Sequence, residues 1–161
     1  MNVYIAFGTF DYLSKIKKSH PEECMLLMYD GDNCALMHIT NESSFFHEPK
    51  AYEVAEKAGK IDNGGQYAAF HYIESTEEGR PLFERHFKDR LQMADKNPGF
   101  SAAMILRPLQ GSVYAIFTLW NSEKEYKAWQ KTKPLIAPED KLFISRPGYS
   151  KTYRIADENT L

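Results

Sequence analysis

A chain of 161 residues, 43% hydrophobic and 26% charged, suits one domain or two small fused ones folded around a real core. Its formal charge of −2 comes from interleaved acids and bases, which excludes the clustered basic surface of a nucleic-acid binder; the one basic run, KIKKSH, reads as a solvated helix face. No stretch approaches the ~18 apolar residues of a membrane span, and MNVYIAFGTFDY has neither the basic start nor the long apolar run of a signal peptide, so a cytoplasmic protein without a membrane partner is expected.

Residues 2–8, NVYIAFG, alternate Val3, Ile5 and Phe7 and predict a strand. Phe10, Leu13 and Ile16 fall at helical spacing, and His20-Pro21 ends that helix. The apolar runs CMLLMYD and CALMHIT flank Asp30-Gly31-Asp32-Asn33, a hairpin signal. A two-residue loop there pairs Cys34 with Tyr29 and leaves Cys24 further out, so the cysteines do not face each other; two reduced thiols are expected, not a disulfide. PKAYEVAEKAG, residues 49–59, predicts a short helix with Pro49 near its start and Gly59 as its cap.

The second half predicts a similar order. QYAAFHYIEST is a strand, and PLFERHFKDRLQMADK is a helix with Pro81 at its first position. FSAAMILRPL and SVYAIFTLW form a hairpin around Gln110-Gly111. SEKEYKAWQ is a helix in which Ser122 and Glu125 make a capping box and Glu123 pairs with Lys127. Between Gln130 and Gly148 three prolines predict a loop with at most one helical turn, and GYSKTYRIA is a last strand. The expected architecture is α+β: two ferredoxin-like halves, 1–62 and 63–161, packed sheet to sheet as a barrel-like fold within one chain.

No phosphate-binding loop and no nucleophile elbow occurs in the sequence. Phe83, His86, Phe87 and Arg90 share one helix face, an apolar stripe edged by an imidazole and a guanidinium. Heme calls for such groups: aromatic walls, a nitrogen ligand and a cation for its propionates. An ordinary core helix shows the same stripe, however, and a lone strand histidine such as His71 is ordinarily structural. Glu77, Glu78 and Glu84 read as exposed acids. Composition and spacing alone therefore stop at a soluble α+β protein.

A resemblance adds to this. VYIAFGT, KAYEVAEKAG, EGRPLFERHFKDR, NPGFSAAMILRPL, YAIFTLW with AWQ after it, and SRPGYSKTY follow one another in order along nearly the whole chain. Together they resemble the two-part heme-degrading monooxygenases of Gram-positive bacteria (the HmoB kind), longer relatives of the IsdG-type enzymes in the antibiotic-biosynthesis monooxygenase superfamily. The same architecture resembles the staphylococcal TRAP regulators, whose likeness carries no catalytic motif. The first resemblance implies a heme-degrading monooxygenase in which heme is both substrate and cofactor, its iron activating O2 with electrons from an external reductase. It implies a catalytic half over residues 63–161 and a structural half over 1–62, and a monomer whose fused halves complete the barrel.

The family's tryptophan falls on Trp129, and its first-strand asparagine falls on His71. Its axial histidine has no counterpart after His86; Pro134 and Pro138 stand where a ligand-bearing helix would run, and Glu139 lies near the expected spacing. The resemblance thus implies Trp129 and His71 as catalytic, His86 or His71 as the iron ligand, and Phe83, Phe87 and Arg90 as contacts to the porphyrin. The rival reading is a non-catalytic heme-binding or TRAP-like regulatory or structural protein. A third is another superfamily monooxygenase acting on an aromatic substrate without a metal.

Overall fold

The computed structural model describes residues 1–61, 64–132, 135 and 143–157. Among these residues, eight strands and three helices follow one another as β1 (Asn2–Gly8), α1 (Phe10–Ser19), β2 (Cys24–Asp30), β3 (Asn33–Thr40), β4 (Lys50–Gly59), β5 (Tyr67–Glu74), α2 (Arg80–Ala94), β6 (Phe100–Pro108), β7 (Val113–Trp120), α3 (Glu123–Thr132) and β8 (Tyr149–Ile155). The strands close into one antiparallel barrel in the order β1-β3-β2-β8-β5-β7-β6-β4. Read as quarters of each half, this is the ferredoxin-like order twice, β4-β1-β3-β2 and β8-β5-β7-β6. The halves are stitched together where β2 meets β8 and β4 meets β6. Closure gives every strand a partner on both sides, so none is a free edge strand.

The α+β, double ferredoxin-like expectation holds, with one correction. Residues 50–59 form strand β4, not a helix. Ala, Glu and Lys favour helix only weakly, and tertiary pairing overrides that preference: β4 is hydrogen-bonded to β1 on one side and β6 on the other, with Tyr52 turned into the barrel. Gly59 does have the left-handed backbone expected of a cap (φ 72°), but here it ends a strand; a Cβ there would lie 2.2 Å from the Ser101 carbonyl oxygen. The N-terminal half is therefore β-α-β-β-β.

The remaining local readings follow from their signals. Thr9 caps α1 by accepting from the Tyr12 amide at 3.2 Å. The β2–β3 turn pairs Tyr29 with Cys34 and Cys24 with Ile39, with Gly31 at φ 59°. Neither cysteine forms a disulfide; Cys24 is exposed and Cys34 buried. Pro81 starts α2, Ser122 meets Glu125 at the head of α3, and Glu123 pairs with Lys127 at 3.1 Å. Past α3, Ile144 forms an antiparallel bridge with Ser75, and much of the stretch expected as a loop lies outside the described residues. The half boundary at residues 62 and 63, and Pro134, Pro138 and Glu139, lie outside the described residues.

Strand alternation sorts the apolar side chains into three cores. Val3, Met37, Tyr52, Phe70, Tyr72, Leu106 and Phe117 fill the barrel interior. Leu13 of α1 packs on Leu27 and Leu36 outside the N-terminal half. On the far side, α2 and α3 cover the outer face of β5, β6 and β7. None of the described helices is long and apolar enough to cross a membrane.

Candidate functional site

β5 sends Ala68, Phe70 and Tyr72 into the barrel and Tyr67, Ala69, His71 and Ile73 toward the helices. β7 does the same with Tyr114, Ile116, Thr118 and Trp120. From above, α3 presses Tyr126 and Trp129 onto this face, and α2 presses Phe83, Phe87 and Leu91. One aromatic core results. Phe83 and Phe87 are 0% exposed, and each buried phenylalanine contributes roughly 1.5–3 kcal/mol of stabilisation.

The core has a polar seam under α3. His71 Nε2 lies 3.2 Å from the Tyr126 hydroxyl, which accepts from the Gln130 side-chain amide at 2.7 Å. An amide nitrogen can only donate, so the tyrosine proton is left for the histidine. The chain of donors runs Gln130 to Tyr126 to His71, with His71 Nε2 accepting. Burial supports that polarity by lowering the His71 pKa from 6.5 to about 4, so the ring is neutral at physiological pH. Beside the seam the two tryptophans stack obliquely, ring centroids 5.2 Å apart, and Trp129 also meets Tyr126 at 6.2 Å. Thr118 Oγ1 and Trp120 Nε1 are buried on this same face without a hydrogen-bond partner among the described residues. Thr118 is flanked across the sheet by Ala69 and Ala103, the smallest side chains of the face.

Under α2 the setting differs. His86 is half-buried, its ring 5.8 Å from that of Phe87 and 5.3 Å from that of Phe143. Phe143 also meets Phe83 and Phe87 edge-on, at 6.0 and 6.4 Å. Arg90 lies 5.3 Å from the Phe87 ring and donates to the Leu135 carbonyl. The Arg90 guanidinium thus holds the chain that follows α3. Leu135 and Phe143, both buried, cover the stripe that carries Phe83 and Phe87.

The structure therefore brings Trp129, Phe83 and Phe87 into one core with His71 beside Tyr126, while His71 sits with α3 and His86 with α2 and Phe143. The sequence reading missed Tyr126 and Gln130 as a hydrogen-bonded pair, although their spacing of four puts both on one helix face. It missed the Thr118 and Trp120 orphans, which follow from strand parity once Tyr114 faces the helices. It also misread Glu84. That carboxylate, 22% exposed, accepts from Arg107 at 2.6 and 2.7 Å and from the Tyr114 hydroxyl at 2.5 Å. The Arg107 hydrogen bonds hold its pKa below the usual carboxylate range.

The donor types fit a flat apolar ligand carrying a metal. A neutral imidazole at His71, aromatic walls and two buried donors are present, and Leu135 with Phe143 covers the place such a ligand would take. Among the described residues no three metal-ligating side chains cluster, so an all-protein metal centre is not offered there.

Residues 67–137, the stretch that builds this face, match the sequence pattern of the antibiotic biosynthesis monooxygenase family. Signal transduction protein TRAP of Staphylococcus epidermidis is 26% identical over 121 residues, 73% of this chain and 70% of that protein. Over these stretches the chain is similar to both. In overall shape it superposes on a major regulator of staphylococcal pathogenesis with a TM-score of 0.85 at 18% identity, covering 98% of this chain and 100% of the other. It also superposes on LmHde, a heme-degrading enzyme of Listeria monocytogenes, with a TM-score of 0.78 at 19% identity, covering 96% and 99%. Likeness at these identities establishes the shared fold.

Proposed function

We propose that the chain is a heme-degrading monooxygenase that takes heme on the face of β5 and β7 beneath α2 and α3, opens the porphyrin with O2 and electrons from an external reductase, and frees the iron. The observation that carries this reading is the His71–Tyr126–Gln130 seam, with its neutral imidazole, set beside Trp129 in a core rich in aromatic side chains. Heme, when bound, supplies the iron that activates O2. The protein orients the ring, keeps water out and holds protons at defined atoms. Trp129 would press on the ring, and Phe83 and Phe87 would form its apolar wall. His86, at the edge of that wall, is the favoured iron ligand, since imidazole is a common heme ligand. His71, with Tyr126 behind it, would face the oxygen side, where the phenol and imidazole together can pass a proton. Arg90 would meet a propionate once Leu135 and Phe143 had lifted from α2. We place the reaction in the cytoplasm, and in a monomer because the barrel closes within one chain.

A second reading, a TRAP-like protein without heme chemistry, is favoured by the TRAP relatives and by the cover that Leu135 and Phe143 make over Phe83 and Phe87. Hemin titration separates the two. The enzyme reading expects a shifted Soret band that decays, with release of chelatable iron, when a reductant is added in air. His86→Ala should abolish the shift, and His71→Ala should keep binding but slow the decay. No Soret shift in the folded wild-type protein would overturn the enzyme reading in favour of the second; unchanged spectra in both variants would overturn the histidine assignments.

A further inference from the structure

Where β1, β5 and β6 finish and β4, β7 and β8 begin, a cavity of about 510 Å³ opens at the barrel mouth. Three tyrosines converge on it, Tyr52, Tyr72 and Tyr149. Tyr52 and Tyr72 are 5% and 4% exposed, and the Tyr72 and Tyr149 rings stack 5.0 Å apart. None of the three hydroxyls has a hydrogen-bond partner among the described residues. Burial and the neighbouring phenols raise the pKa of Tyr52 to about 12 and push that of Tyr72 higher still, so these groups stay protonated and offer O–H donors.

Lys50 is the one charged residue of the lining. Its ammonium lies 5.2 Å from the Tyr72 ring centroid and 5.7 Å from that of Phe7, with no carboxylate within ion-pairing distance among the described residues. The rings hold the cation in place without neutralising it. Pro49, Pro108, Leu109 and Val113 supply apolar walls. Size, apolar walls and a few convergent polar groups are the marks of a small-molecule site. The lining carries one cation, three phenol hydroxyls and the Gln110 amide, all able to donate, and, among the described residues, no carboxylate, so the complementary ligand carries negative charge and acceptor oxygens. The stacked rings select a flat body.

We propose that the barrel mouth binds a planar aromatic carboxylate, its carboxylate held by Lys50 and the Tyr52 and Tyr72 hydroxyls and its ring seated against Tyr149 and the prolines. The site lies inside and at the end of the barrel, whereas the heme reading concerns the outer face under the helices, so the two stand or fall separately.

The test is a titration of the full chain with 2-naphthoate, followed by amide chemical shifts. Saturable shifts at residues 49–52, 72, 108–113 and 149 are expected. Lys50→Gln, an exposed position, should keep the thermal midpoint and weaken binding about tenfold, and Tyr72→Phe should weaken it about threefold. The neutral analogue 2-naphthalenemethanol should bind about tenfold more weakly than the acid. Absence of saturation, shifts confined to α2 and α3, or equal affinity of the acid for wild type and Lys50→Gln would each overturn the proposal.

Discussion

His71 shows how burial changes a side chain's chemistry. In the unfolded chain its imidazole titrates near 6.5, and in the folded protein near 4, through desolvation. Between those values the unfolded chain takes up a proton that the folded chain refuses, so acid favours unfolding. Stability should be level above pH 6.5 and fall as the pH drops toward 4, by roughly 3 kcal/mol across the window. Urea midpoints measured from pH 7.5 to pH 4.5 should show the slope, and His71→Gln should flatten it. An equal slope in the variant would place the acid sensitivity elsewhere. The same neutral ring matters to the proposed chemistry: a protonated imidazole could neither accept from Tyr126 nor ligate a metal.

At the scale of elements, α2 is clamped to the sheet by charge as well as by Phe83 and Phe87. Glu84 on α2 takes two hydrogen bonds from Arg107 on β6 and one from Tyr114 on β7, and Arg107 also pairs with Glu53 on β4. Four elements meet at one guanidinium–carboxylate pair. Such charge-assisted bonds outrank exposed pairs because water screens them less. Glu84→Gln should lower stability by about 1–3 kcal/mol, read as a shifted urea midpoint. Glu123→Gln, which breaks the solvent-exposed pair with Lys127, should leave the midpoint where it was. Because folding lowers the Glu84 pKa, this clamp is fully present above the ordinary carboxylate range and is lost as the pH falls through the lowered value. Equal behaviour of the two variants would show that the α2 clamp is no stronger than a surface pair.

Across the whole molecule, closure of the barrel is what holds the halves together. A chain of residues 63–161 would leave the β6 edge without β4 and the β8 edge without β2. It would also bare Phe70, Tyr72, Leu106 and Phe117, which face the interior shared with Val3 and Met37. Unpaired edges and exposed apolar faces drive association. That fragment should be aggregated or oligomeric by gel filtration and should lack a cooperative thermal transition. A soluble, monomeric fragment that still handles heme would overturn both this account and the structural role proposed for residues 1–62.

Local chemistry determined most of the elements. Caps, turns and apolar periodicity are written in neighbouring residues, so α1, the Tyr29–Cys34 hairpin, Pro81 at the head of α2 and the contact of Ser122 with Glu125 were legible directly. Partners distant in sequence carry no such signal. Residues 50–59 became a strand because β1 and β6 supply hydrogen bonds on both sides, against a mild helical preference. Glu84 was legible as an acid but not as a clamp, since Arg107 and Tyr114 reach it only after α2 folds back over the sheet. His71 and Trp129 could be picked out by type, yet Tyr126 behind His71 and Phe143 over Phe87 depend on tertiary packing. The cavity of Tyr52, Tyr72 and Tyr149 was not legible at all, because it exists only where strands from both halves end around one closed barrel.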